Sequence, residues 1–350
     1  LTLTGAASTL ELGGAFTNTG TFDWQSGTVT VTGPGSEWTN STNLTVGHSG
    51  TSTLNIEVGG VVSNARGYLG LLSGSTGVAT VTGPGSTWDN SSYFYVGKAG
   101  TGTLTIEDGG RVENTSSYTA SEAGSDGTVT VTGTNSIWDN SGSLYVGRYG
   151  TGTLTIEDGG RVENTAGYIG IYSGASGTVK VKGTGSTWEN DGELHIGGLD
   201  TNVGSADVSI QGGGTLSVTG DTKLYSGSTL TLTGAASTLE LGGTFITDGT
   251  LNFNDGALRL QGQDASWDPG SFTLAPAAAA ILELTGGASI SNIDSSGSHM
   301  TVEDGGSVLV ASGSSLTARH QYRIDDGGST VVDGANSTLT VTDAEPNYSG

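Results

Sequence analysis

Short runs in which Val, Leu or Ile alternate with Thr, Ser or Asn dominate the chain: TVTVT at 28–32, TLNIE at 53–57, TLTIE at 103–107 and TVTVT at 128–132. A period of two places every second side chain on one side of an extended segment, the pattern of a strand with one apolar face. The runs stop at Gly, often Gly-Gly preceded by Asp, residues that accept the backbone angles of tight turns. No stretch sustains the 3.6-residue spacing of a helix. The pattern predicts an all-β chain of many short strands.

These strands recur in a fixed order. Trp38, Trp88, Trp138 and Trp188 stand 50 residues apart, each in the frame G-x-x-S-x-W-x-N, and TLTIEDGGRVENT occurs at both 103–115 and 153–165. Each 50-residue unit divides into two halves of about 25 residues that share one template of three short strands. Three strands per repeat predict one coil of a parallel β-helix, in which every strand pairs with its equivalent one coil away. A coil alone cannot bury its apolar side, whereas a stack of coils makes a continuous core. The whole chain, 1–350, then reads as one solenoid of about 14 coils, about 67 Å long at the strand spacing. Coils this long favour the right-handed form. Regular double coils occupy 27–197 within a first part, 1–228. The remainder, 229–350, reads as a diverged second copy, because LTLTGAASTLELGG at 1–14 returns at 230–243 and Trp38 aligns with Trp267. The segment 275–280, APAAAA, marks an irregular coil.

In a solenoid each template position becomes a column along the rod. One column holds Asn40, Asn64, Asn90, Asn114, Asn140, Asn164 and Asn190, with Asn292 in the second copy. Asn suits a corner, and its amide can bond to the amide stacked on it, so this ladder is read as structural. Two residues earlier Trp and Val alternate, a large–small sequence fit for a packed interior. Between them lies an acidic row of Asp89, Glu113, Asp139, Glu163 and Glu189. Like charges stacked in this way repel, so something must offset them. Arg111 and Arg161 stand two residues before Glu113 and Glu163 and would neutralise part of the row; a line of Ca²⁺ ions bound by the five acids is the alternative. A fourth column, outward-facing by alternation with the buried Leu, Phe or Ile that follow, is a ladder of Tyr68, Tyr93, Tyr118 and Tyr168, interrupted by Ser143. It is read mainly as stacking, with sugar binding or a partner patch as the other roles.

Composition narrows the function. The net charge is −23, which opposes nucleic acid and anionic membranes as partners. There is no Cys, hence no disulfide framework and no thiolate metal site. No apolar run is long enough to span a membrane as a helix, so this segment is not expected to insert into one. The carboxylates follow the repeat, as scaffold residues do, whereas a catalytic cluster would break it. Asp108 and Asp158, two coils apart, single out no general acid. His48, His195, His299 and His320 show no ligand or nucleophile spacing. A C-terminal group of His299, Glu303, Asp304, His320, Arg323, Asp325 and Asp326 is mostly explained by copies of the EDGG turn. The chain is therefore read as non-enzymatic and without a cofactor, Ca²⁺ apart.

The unit GTVTVTGTNSIWDNSGSLYVG followed by GTLTIEDGGRVENT resembles the repeats of autotransporter passengers (type V secretion) and of some proteins with a PEP-CTERM sorting tail. The resemblance implies a β-helix exported to the outer surface of a Gram-negative bacterium, where such passengers commonly adhere, self-associate or scaffold enzymes. The expected function is an extracellular structural or adhesive rod. Its partners would be a host or neighbouring-cell surface, a polysaccharide, or further copies of itself in fibres. The alternative is a carbohydrate-active β-helix.

Overall fold

The computed structural model describes all residues except 1, 4, 6, 20–22, 270, 271, 275–279, 292–298, 320, 326 and 343–350. Asn292, His320, Asp326 and most of the segment 275–280 lie outside the described residues. The chain is an all-β parallel solenoid of about 12 turns of roughly 25 residues, without a helix among the described residues. No helix among the described residues is long and apolar enough to cross a membrane.

Among the described residues, three long sheets of 11, 13 and 14 strands run along the rod, and consecutive strands of the chain fall on successive sheets. The coil at 101–119 shows the plan. Thr101–Glu107 lies on a long-strand face, Arg111–Asn114 on an asparagine face and Ser117–Thr119 on a tyrosine face. Each strand pairs in parallel register with its equivalents in the coils before and after. The turn count falls slightly below the expected 14, and past Thr250–Phe253, where the 11-stranded sheet ends, a separate three-stranded sheet follows it.

Alternation within the strands decides what is inside. Leu104 and Ile106 are fully buried beneath outward Thr103 and Thr105, and the same positions of the flanking coils add Ala79, Val81, Val129 and Val131. Trp88 pairs with Val62 on one side and Val112 on the other, all completely buried. A single hydrophobic cluster runs from Trp24 to Leu316. Burial of a continuous apolar column is the main stabilising term, since no coil has a core of its own.

The turns explain the glycines. Gly147 has a φ of +70°, and a Cβ there would lie 2.1 Å from the Ser176 carbonyl oxygen of the next coil. Asp108 and Asp158 sit at φ +51° and +52°, and Val58 occupies the equivalent position at +53°. Asp tolerates this left-handed region, whereas a β-branched residue is strained in it. The two Asp residues are thus accounted for as turn formers.

The two sequence copies do not occupy the same faces. Thr9–Leu12 belongs to the 11-stranded sheet, while the identical Thr238–Leu241 belongs to the 14-stranded one. Likewise Trp38 is on the asparagine face and Trp267 on the tyrosine face. The offset of 229 residues is not a whole number of turns, so the second copy is rotated by one face about the rod axis.

Candidate functional site

The asparagine face carries two kinds of polar row, one buried and one exposed. Asn64, Asn90, Asn114, Asn140, Asn164 and Asn190 close successive strands with their side chains buried. Their bonds alternate. Asn64 donates to Asn90 Oδ1 and Asn114 to Asn140 Oδ1, each at 2.7 Å. Asn164 donates to Asn190. Asn90 and Asn140 instead donate onward to backbone carbonyls, those of Glu113 at 3.4 Å and Glu163 at 3.1 Å. The indoles explain the alternation. Trp88 Nε1 donates to Asn64 Oδ1 at 2.7 Å, Trp138 to Asn114 at 3.0 Å and Trp188 to Asn164 at 2.6 Å. Each Trp coil is locked to the Val coil before it, so the bonded unit is 50 residues long.

Outside this ladder, Asp89, Glu113, Asp139, Glu163 and Glu189 pair in register as one row. Arg111 bridges Glu113 and Asp139, the latter at 2.7 Å. Arg161 bridges Glu163 at 2.8 Å and Glu189 at 2.7 Å. Arg259 repeats the device between Glu240 at 3.0 Å and Glu283 at 2.9 Å. Among the described residues no three acidic or His side chains form a group suited to hold a metal ion. Asp89 precedes the first guanidinium, and its carboxyl is raised above the usual range, by burial first and by Glu113 second. Burial also raises Glu163, against the opposing pull of Arg161.

The tyrosine face corrects the sequence reading. Its stacked column is Tyr68, Tyr95, Tyr118, Tyr145 and Tyr168, with ring centroids 4.8–5.0 Å apart and planes within 14°. Tyr93 is outside the column, and Ser143 does not interrupt it. Tyr93 lies just before the strand Phe94–Val96 and meets Tyr118 edge-on at 5.9 Å. Trp coils have one more residue between Asn and the ladder than Val coils (Asn90 to Tyr95 against Asn64 to Tyr68), so a constant step of 25 misses Tyr95 and Tyr145. Because each ring covers its neighbour, the ladder offers ring edges and hydroxyls rather than open faces. Burial raises the phenols, Tyr95 to about 12, with Tyr118, Tyr145 and Tyr168 shifted the same way.

Cations flank this ladder. Arg66 lies 5.6 Å from the Tyr93 ring and Lys98 5.5 Å from the Tyr95 ring. Arg148 is within 5.2–6.0 Å of four rings, those of Tyr118, Tyr145, Tyr149 and Tyr172. Tyr149 and Tyr172 stack on each other at 4.3 Å, beside the main column.

The ladder ends where the repeat breaks. His195 stacks on Tyr168 at 5.4 Å, and Gly198–Leu199 and Asn202–Val203 form a small antiparallel ribbon against Tyr225. Tyr168 donates to Glu193, whose carboxylate lies 3.3 Å from His195 Nε2; His195 Nδ1 is 3.1 Å from the Tyr225 hydroxyl. Donation from Tyr168 holds the Glu193 carboxyl below its usual range. Sequence reading missed this cluster, although the lengthened segment HIGGLDTNVGSAD, in place of the usual short turn, was a visible signal. Of the C-terminal group, Arg323 pairs with Asp325 at 2.5 Å.

No family model and no curated protein matches the chain. A solved structure, the crystal structure of a TibC-catalysed hyper-glycosylated TibA fragment, is similar at 16% identity over 95% of this chain and 93% of that one, with a TM-score of 0.41.

Proposed function

We propose that the chain is a non-enzymatic rod displayed outside a bacterial cell, where it mediates adhesion or self-association. The supporting observation is that the regular coils, 27–197, carry columns of equivalent side chains in register along three sheets. Such a surface suits repeated weak contacts along an extended partner. The resemblance to autotransporter passengers adds the export route and an outer-surface location. Beads coated with the full chain should adhere to bacterial or host cells, or clump with each other, more than beads coated with an unrelated acidic protein. Coated beads that do neither would remove the reading.

A carbohydrate-active role is the second reading, favoured by the cluster Tyr168–Glu193–His195–Tyr225 at the break in the repeat. Release of reducing ends from a polysaccharide panel, abolished by Glu193→Gln, would establish it. No release from any member would dismiss it.

A further inference from the structure

We propose that the tyrosine face binds a carboxylate-bearing polysaccharide and that Arg148 grips the carboxylate. The proposal rests on the adhesive reading and names what the rod adheres to. Its first support is the state of Arg148. Arg111, Arg161, Arg259 and Arg323 are each paired with carboxylates, but among the described residues the side chain of Arg148 has neither an ion pair nor a hydrogen bond. Its Nε is buried without a partner. The two nearby acids are engaged elsewhere, Glu122 by Lys98 and Glu193 by Tyr168 and His195. Four tyrosine rings hold the guanidinium by cation–π attraction, which leaves its N–H groups unmatched. A guanidinium fork matches a carboxylate with two parallel charge-assisted bonds.

The second support is the local charge. Over 65–75, 91–100, 115–125, 141–150 and 165–175, the ladder strands and their flanking turns carry Arg66, Lys98 and Arg148 against Glu122 alone. This gives +2 (three cations less one acid), or +1 when Glu193, bonded to Tyr168 at the end of the ladder, is counted, on a chain whose net charge is −23. An anionic polymer repelled by the other faces is steered to this one.

The remaining observations favour a sugar over an acidic peptide. The strands of this face are paired on both sides, so no free edge is available for an added peptide strand. Tyr149, 40% exposed, stands at the rim of the site as an aromatic surface for the C–H face of a pyranose. The phenol hydroxyls form a row at one per coil, suited to a polymer that presents polar groups at regular steps.

The test is titration calorimetry of the full chain with polygalacturonate oligomers, with the same oligomers methyl-esterified, and with polyglutamate. The acid form should bind and the ester should not. Arg148→Gln should weaken binding about tenfold or more, the loss expected of a charge-assisted pair. Arg148→Lys keeps the charge without the fork and should fall between; it carries the test if Arg148→Gln fails to fold by circular dichroism. Lys180→Gln, on the long-strand face, should leave affinity unchanged. Equal binding of acid and ester, undiminished binding by both Arg148 variants, or equal binding of polyglutamate would overturn the proposal. Beads that adhere to cells yet take up no polygalacturonate would overturn it while leaving the adhesive reading intact. Beads that neither adhere nor clump would remove that reading itself.

Discussion

Replacing Asn114 by Ala tests what locks a Trp coil to its neighbour. Asn114 is 6% exposed, donates to Asn140 at 2.7 Å and accepts from Trp138 Nε1 at 3.0 Å. Each lost bond removes about 0.5–1.5 kcal/mol, and an indole N–H left without an acceptor in a dry core costs about 1–3 kcal/mol. The total is roughly 2–4 kcal/mol, since the second and third terms overlap. Trp138→Phe deletes the donor, so in that background Asn114→Ala should cost about 1–2 kcal/mol less. Coils of a solenoid open separately, and one global midpoint is ill-defined. The appropriate assay is native-state hydrogen exchange of Arg111–Asn114 and Ile137–Asn140, which reports local opening free energies. Equal losses in the two backgrounds would refute the argument that the indole–amide bond defines the double coil.

Three further outcomes are expected. Val58→Asn should raise the local opening free energy of Thr51–Glu57 and Val61–Asn64, read by hydrogen exchange, by about 1 kcal/mol, because it replaces a β-branched residue at φ +53° with one that tolerates that region; an unchanged or lower value would contradict the strain. The ladder phenols titrate higher in the folded rod than in the unfolded chain, which therefore loses those protons first. Stability should fall as pH rises from about 10 towards 12, less steeply in Tyr95→Phe, and a flat profile in thermal melts would disprove the shift. Stability should respond to Ca²⁺ no more than to NaCl of equal ionic strength, because Arg111 and Arg161 already bridge the acidic row. A rise specific to Ca²⁺ and abolished by Glu113→Gln would restore the cation row.

Much of the architecture was legible because a solenoid repeats its constraints. Trp88, Val112 and Asn114 declare period and burial together, and each coil states them again. The tyrosine ladder was half-legible. The 25-residue template averages true ladder steps of 27 and 23 residues, from Tyr68 to Tyr95 to Tyr118, so it landed on Tyr93 and Ser143. The rotation of the second copy was hidden for a different reason. Identical strands such as Thr9–Leu12 and Thr238–Leu241 fit either face, and only the count of preceding turns assigns one. The caging of Arg148 was invisible because its four rings come from three different coils at unequal separations.

The indole–amide lock also sets the increment by which the rod can change length. The segments 103–115 and 153–165 are identical, so recombination between their coding stretches would excise 50 residues. Asn90 would then meet the carbonyl of Glu163 in place of that of Glu113, with every column restored and the rod shorter by two coils, about 9.6 Å. Excising a single Val coil would instead press two Trp layers together and part an indole from the amide that accepts its N–H. Rod length is therefore heritable in two-coil steps, and this particular step carries Arg148 away with it, so that length and the proposed grip on a charged glycan would be lost in a single genetic event.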